Sequence, residues 1–119
     1  MPKEYARSER VAQTITRQLA MILRKEVKDP RVSSLTITDV EVTKDLRQAK
    51  IFVTSMFEDK TDIKGTMDAL EKANGFLRHA LAAVIDMRHC PNLIFSYDNS
   101  ISEGARMSAL IDKALNGKD

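Results

Sequence analysis

Lys72-Ala73-Asn74-Gly75-Phe76-Leu77-Arg78 interrupts a helical pattern that otherwise runs from about Asp62 to His89. Ile63, Met67 and Leu70 precede the interruption, and Leu77, Leu81, Val84 and Ile85 follow it, at the spacing of one helix face. Glycine inside a helix costs about 1 kcal/mol relative to alanine. Either one helix kinks at Gly75, or two short helices meet at Ala73-Asn74-Gly75. The glycine itself has two readings. It is a defect tolerated for packing on a sheet, or a place where the missing Cβ lets a ligand approach the backbone. With Lys72, Asn74 and Arg78 beside it, the two readings balance.

The flanking segments give the architecture. Val11, Ile15, Leu19, Ile22 and Leu23 mark a helix from about Ser8, its expected N-cap, to about Lys28, where Pro30 disfavours continuation. Leu35–Val42 alternates apolar and polar residues as a half-buried strand does. Lys44-Asp45-Leu46-Arg47 has the polarity of a hairpin turn, and Ala49–Phe57 is a more apolar, central strand. Pro91 stops the middle helical region, and Leu93–Tyr97 is a short strand. Ser100-Ile101-Ser102-Glu103 matches a capping box that opens a last helix to about Leu115, with Gly117 as a plausible C-cap. The order α-β-β-α-(break)-α-β-α predicts an α+β fold over residues 1–119 as one domain, a three-stranded sheet covered by helices. With a defect between the central helices, this is the type II KH arrangement. In that fold a G-x-x-G loop between two helices clamps the nucleic-acid backbone, and phosphates reach the amides at the second helix's N-terminus. Here Ala73-Asn74-Gly75 lacks the first glycine and is one residue short.

Charge tests the nucleic-acid reading. The 119 residues carry 19 Lys+Arg against 17 Asp+Glu, a net charge of only +2. Residues 1–31, however, hold eight basic residues against four acids, a net +4, so the remainder carries −2. Arg10, Arg17, Arg24 and Lys28 fall opposite the apolar face of the first helix, with Arg7 and Lys25 at the edge of that stripe and Arg31 just beyond it. Such a stripe is either a solvated helix face or a phosphate-contacting one. The absence of acids within it favours phosphate. The candidate RNA-binding residues are therefore Arg7, Arg10, Arg17, Arg24, Lys25, Lys28 and Arg31, joined by Lys72, Asn74, Gly75 and Arg78 at the break and by Arg88. Arg88 and Arg106 fit RNA contacts and internal pairs with Asp86 or Asp98 equally well. His79, just beyond the break, fits a phosphate contact or an ordinary exposed histidine. The aromatics Tyr5, Phe52, Phe57, Phe76, Phe95 and Tyr97 are few and mostly at apolar strand positions, so recognition by RNA shape and backbone is expected rather than base stacking.

Other classes are poorly supported. His79 and His89 are ten residues apart and face different ways on a helix. No cysteine or carboxylate–histidine spacing suggests a metal, and the glycines form no phosphate loop. Cys90 reads as a partly buried residue at a helix end rather than a nucleophile. No catalytic residue, cofactor or small-molecule substrate is expected. A single cysteine excludes an internal disulfide and fits a reducing cytosol. No apolar run approaches the roughly 20 residues that span a bilayer, and Met1-Pro2-Lys3-Glu4 lacks a secretory apolar stretch.

Longer motifs add a family resemblance. Arg10-Val11-Ala12, Lys28-Asp29-Pro30-Arg31 and Ala73-Asn74-Gly75-Phe76-Leu77-Arg78 all contribute to it. The most specific stretch is Arg88-His89-Cys90-Pro91-Asn92-Leu93-Ile94-Phe95-Ser96-Tyr97-Asp98-Asn99-Ser100, followed by Gly104 and Arg106. The last resembles R-x-x-P-x-L-x-F-x-x-D-x-S, the signature of the ribosome-binding factor A family. The resemblance spans nearly the whole chain, which stops soon after Leu115, short of the charged tail some relatives carry. It implies a KH-type, non-catalytic, cytoplasmic protein, expected to act as a monomer. Its partners would be the immature 30S subunit and 16S rRNA, with a role in late 16S rRNA maturation and growth in the cold. Two other functions fit the residues alone: a general KH-like RNA chaperone, and a protein-interaction module using the acidic segment Glu58–Glu71.

Overall fold

A computed structural model describes residues 3–55 and 62–98, with side chains from Arg7 onward. The expected capping box, last helix, Gly104, Arg106 and Phe57 lie outside these residues, as do residues 58–61 of the acidic segment, and Tyr5 lies outside the described side chains. The chain begins with helix α1 (Lys3–Glu26) and a single turn, α2 (Pro30–Ser33). Strands β1 (Leu35–Val42) and β2 (Gln48–Ser55) follow, then helix α3 (Ile63–Val84) and strand β3 (Asn92–Tyr97). The strand order is β1-β2-β3, antiparallel between β1 and β2 and parallel between β2 and β3. The parallel step requires a crossover, which α3 supplies. Helices and sheet share one core, so this is the KH-like α+β architecture expected.

The core explains each element. α1 turns Ile15, Leu19, Ile22 and Leu23 inward, and α3 turns in Leu70, Leu77 and Leu81. The sheet presents Leu35, Val40, Ala49, Ile51, Val53 and Leu93 to them. β2 alternates buried and exposed positions most regularly, as a central strand with one covered face does. β1 carries an irregularity between Ile37 and Asp39 that leaves Thr38 without a register partner. The Thr38 hydroxyl donates to Asp98 Oδ2 at 2.6 Å and thereby ties the bulge to the far end of β3.

Three local expectations are corrected. α1 starts at Lys3, so Ser8 is a buried residue inside the helix rather than its cap. α1 stops at Glu26, and Pro30 opens α2 at a first helical position, where a missing amide hydrogen is harmless. Asp29 caps that turn by accepting from the Arg31 amide at 3.0 Å, and the Arg31 guanidinium beside it holds the carboxyl below its ordinary range. Most important, α3 is one continuous helix through Ala73-Asn74-Gly75. No second helix begins there.

Candidate nucleic-acid interface

The continuity of α3 changes the chemistry available at Gly75. Amides in the middle of a helix already donate to carbonyls four residues back, so Gly75 offers no free amide cluster to a phosphate. What it offers is space. A Cβ at Gly75 would meet nothing within 4 Å. Lys72, Gly75, Phe76 and His79 follow the i, i+3, i+4, i+7 spacing of one helix face, and all four are exposed. Phe76, on the helix rather than at a strand position, is 50% exposed. The face combines a cation, a bare backbone and an open ring.

Asn74 and Arg78 point elsewhere. Asn74 Nδ2 donates to the Leu93 carbonyl of β3 at 2.9 Å. Arg78 donates through Nε to the Pro91 carbonyl at 3.3 Å and through Nη2 to the Cys90 carbonyl at 2.8 Å. The two side chains strap the segment after α3, and the start of β3, to the helix. Cys90 sits under this strap, where burial raises its thiol pKa. That environment suits a structural cysteine, not a nucleophile.

Because the space around Gly75 is empty and its φ is not positive, the fold does not require glycine there. Gly75→Ala is therefore expected to stabilise the protein by about 0.5–1 kcal/mol, read as a higher thermal midpoint. A bulky Gly75→Glu change should keep the fold and weaken any ligand that lies against this face. An unchanged affinity would remove Gly75 from the interface.

On α1, Arg10, Arg17 and Arg24 recur every seven residues, nearly two full turns, and form one exposed line. Met21, 45% exposed, lies on the same line between Arg17 and Arg24. Lys25 and Lys28 extend it at the helix's end, both exposed. Among the described residues the close ion pair is Arg31–Asp29, at 2.9 Å, and none of the stripe residues has an acidic partner. Arg31 and Lys72 come together on a groove of about 520 Å³ between α2 and α3, together with Asp29 and Asp68. Arg7, Arg78 and Arg88 come together on a second groove, of about 740 Å³. Among the described residues Arg88 makes no salt bridge with Asp86 or Asp98. Arg47, also on that second groove, escaped the sequence reading.

These surfaces sit on a chain with close relatives. The family model of ribosome-binding factor A matches residues 7–111. The chain belongs to the ribosome-binding factor A family. It is 47% identical over 115 residues to ribosome-binding factor A of Azoarcus sp. (strain BH72), covering 97% of this chain and 90% of the relative. It is equally 47% identical, over 116 residues, to that of Pseudomonas entomophila (strain L48), covering 97% and 88%. The crystal structure of ribosome-binding factor A from Thermus thermophilus matches with a TM-score of 0.68 at 27% identity, covering 78% of this chain and 97% of that one. A Thermus thermophilus homology model fitted into the cryo-EM map of a 30S complex matches at 0.61 and 30% identity, covering 74% and 91%. The A-x-G triplet of this chain, Ala73-Asn74-Gly75, stands mid-way along the helix that crosses over from β2 to β3. Among the described residues no helix is long and apolar enough to cross a membrane.

Proposed function

We propose that this protein binds the immature 30S subunit through the phosphate backbone of 16S rRNA and assists late 16S rRNA maturation, including in the cold. The observation that carries the reading is the line of exposed arginines on α1, which have no acidic partners among the described residues. Unpaired surface cations keep their charge available for phosphates, and neutralising a phosphate releases counterions. The 30S complex of the Thermus thermophilus relative supports the choice of partner.

In this reading the protein is a binder and not a catalyst, acting in the cytoplasm as a monomer with residues 1–119 as one RNA-binding domain. Arg7, Arg10, Arg17, Arg24, Lys25, Lys28, Arg31, Lys72 and Arg88 contact phosphates, and Gly75 with Phe76 lets an RNA strand lie close to α3. Asn74 and Arg78 act by holding the strap that positions Arg88. The protein then shifts rRNA between two arrangements only by the difference in its affinity for them.

Sedimentation of cell extract tests the proposal. The protein is expected to travel with free 30S subunits and to be absent from assembled ribosomes. Association with neither, equal binding to unrelated RNAs, or salt-insensitive capture by a protein partner would overturn it.

A further inference from the structure

The groove of about 740 Å³ gathers cations from four separate parts of the fold. Arg7 comes from α1, Arg47 from the β1–β2 turn, Arg78 from α3, and Arg88 from the segment before β3. All four are exposed. Two carboxylates, Asp45 and Asp86, share the lining, so the groove keeps a positive balance. Asp45 is turned into its own loop, where its Oδ1 accepts from the Thr43 hydroxyl at 2.6 Å and the Arg47 amide at 3.1 Å.

Arg47 is held in place by an unusual turn. Leu46 has φ 61°, a left-handed conformation that a branched non-glycine residue seldom adopts. The turn is closed by Thr43 N to Gln48 O at 3.0 Å and Leu46 N to Thr43 O at 2.9 Å. It is also pinned to the start of β3, where Asn92 N donates to the Arg47 carbonyl at 2.8 Å. The Arg78 strap in turn fixes the segment that carries Arg88. Among the described residues Arg7, Arg47 and Arg88 have no ion-pair partner.

We infer that this groove is a second RNA contact, in which Arg47 and Arg88 hold consecutive phosphates of one rRNA strand. The inference rests on the rRNA-binding reading above and adds a site to it. Exposed guanidinium groups spread over several elements suit an extended polyanion, which meets them one phosphate at a time. A small anion is held instead by buried, convergent donors. The turn and the strap tie the backbones that carry the two arginines to the start of β3 and to α3, so both side chains project from anchored segments.

The test uses full-length protein and fluorescently labelled, protein-free 16S rRNA over a salt series. The Arg47→Glu/Arg88→Glu variant should bind at least tenfold more weakly at low salt. Its log affinity should fall less steeply with log salt, by about 1.5–2 in slope, as expected for two lost phosphate contacts. Lys50→Glu/Lys64→Glu, which makes the same change in net charge away from the groove, should stay near wild type. If the groove variant binds like this control while wild type binds rRNA, the groove assignment falls and the α1 reading stands. If wild type itself fails to bind rRNA, the α1 reading falls as well. A variant that loses intact 30S subunits but keeps protein-free rRNA would assign the groove to an acidic ribosomal protein segment and overturn the inference.

Discussion

Changing Arg10, Arg17 and Arg24 together to Glu is expected to lower affinity for 30S subunits by about a hundredfold or more at low salt. The magnitude follows from elementary electrostatics. A cation–phosphate contact at about 4 Å in water is worth roughly 1 kcal/mol, and three lost contacts correspond to roughly a hundredfold. Repulsion from the introduced carboxylates adds to this. The dependence of log affinity on log salt should also flatten, by about 2–3 in slope. The substitutions have little reason to harm the fold. All three side chains are exposed, and none carries an ion pair among the described residues. Glutamate is nearly as good a helix former as arginine. Circular dichroism and the thermal midpoint should therefore stay near wild type. Full-strength, steeply salt-dependent binding by a folded triple variant would show that the stripe is only a solvated face.

The α1 stripe was legible because seven residues are nearly two helical turns, so Arg10, Arg17 and Arg24 must share a face wherever the helix lies. β1 was legible for a similar reason. With one face buried, alternation along Leu35–Val42 reports the pleat directly. The bulge at Thr38 was not, since nothing local marks it and the side chain it frees bonds to Asp98, sixty residues away. Gly75 leaves a kink and a helix boundary equally open in the sequence because its propensity penalty is local, whereas its compensation is tertiary. Leu70, Leu77 and Leu81 bury completely, and Asn74 anchors to β3, which together outweigh a penalty of about 1 kcal/mol. Pro30 both ends one helix and starts the next turn, and both follow from its fixed φ and missing amide hydrogen.

The candidate site divides in the same way. Spacing along one helix can reveal a line of charges, but it cannot show that Asn74 and Arg78 reach inward to the segment around Pro91. Those bonds depend on where β3 lies beside α3. Arg47 was missed because Arg7, Arg78 and Arg88 are far from it in sequence, and it takes the pairing of β2 with β3, with Asn92 N bonded to its carbonyl, to bring the hairpin turn to them.

The orientation of α3 makes one further large effect predictable. Leu77→Ala should destabilise the protein by about 2–5 kcal/mol, measured as a lower urea midpoint with an unchanged slope. Leu77 is fully buried in the shared core, with Leu70 and Leu81 on the same face of the helix. Removing its branched end deletes apolar contacts and leaves a void that a continuous helix, fixed by the Asn74 and Arg78 straps, cannot easily collapse. Such a loss is a large share of the roughly 5–15 kcal/mol that holds a typical domain together. Two residues earlier, Gly75→Ala should act with the opposite sign. The two substitutions do not fill a common space, so their effects should add in the double variant to within about 0.5 kcal/mol. If a second helix began at this point with its amides free, the glycine conformation would matter, and alanine at 75 would destabilise. A gain at 75 beside a large loss at 77 is therefore the signature of one unbroken helix. Its inner face holds the fold together, and its outer face has room for another molecule.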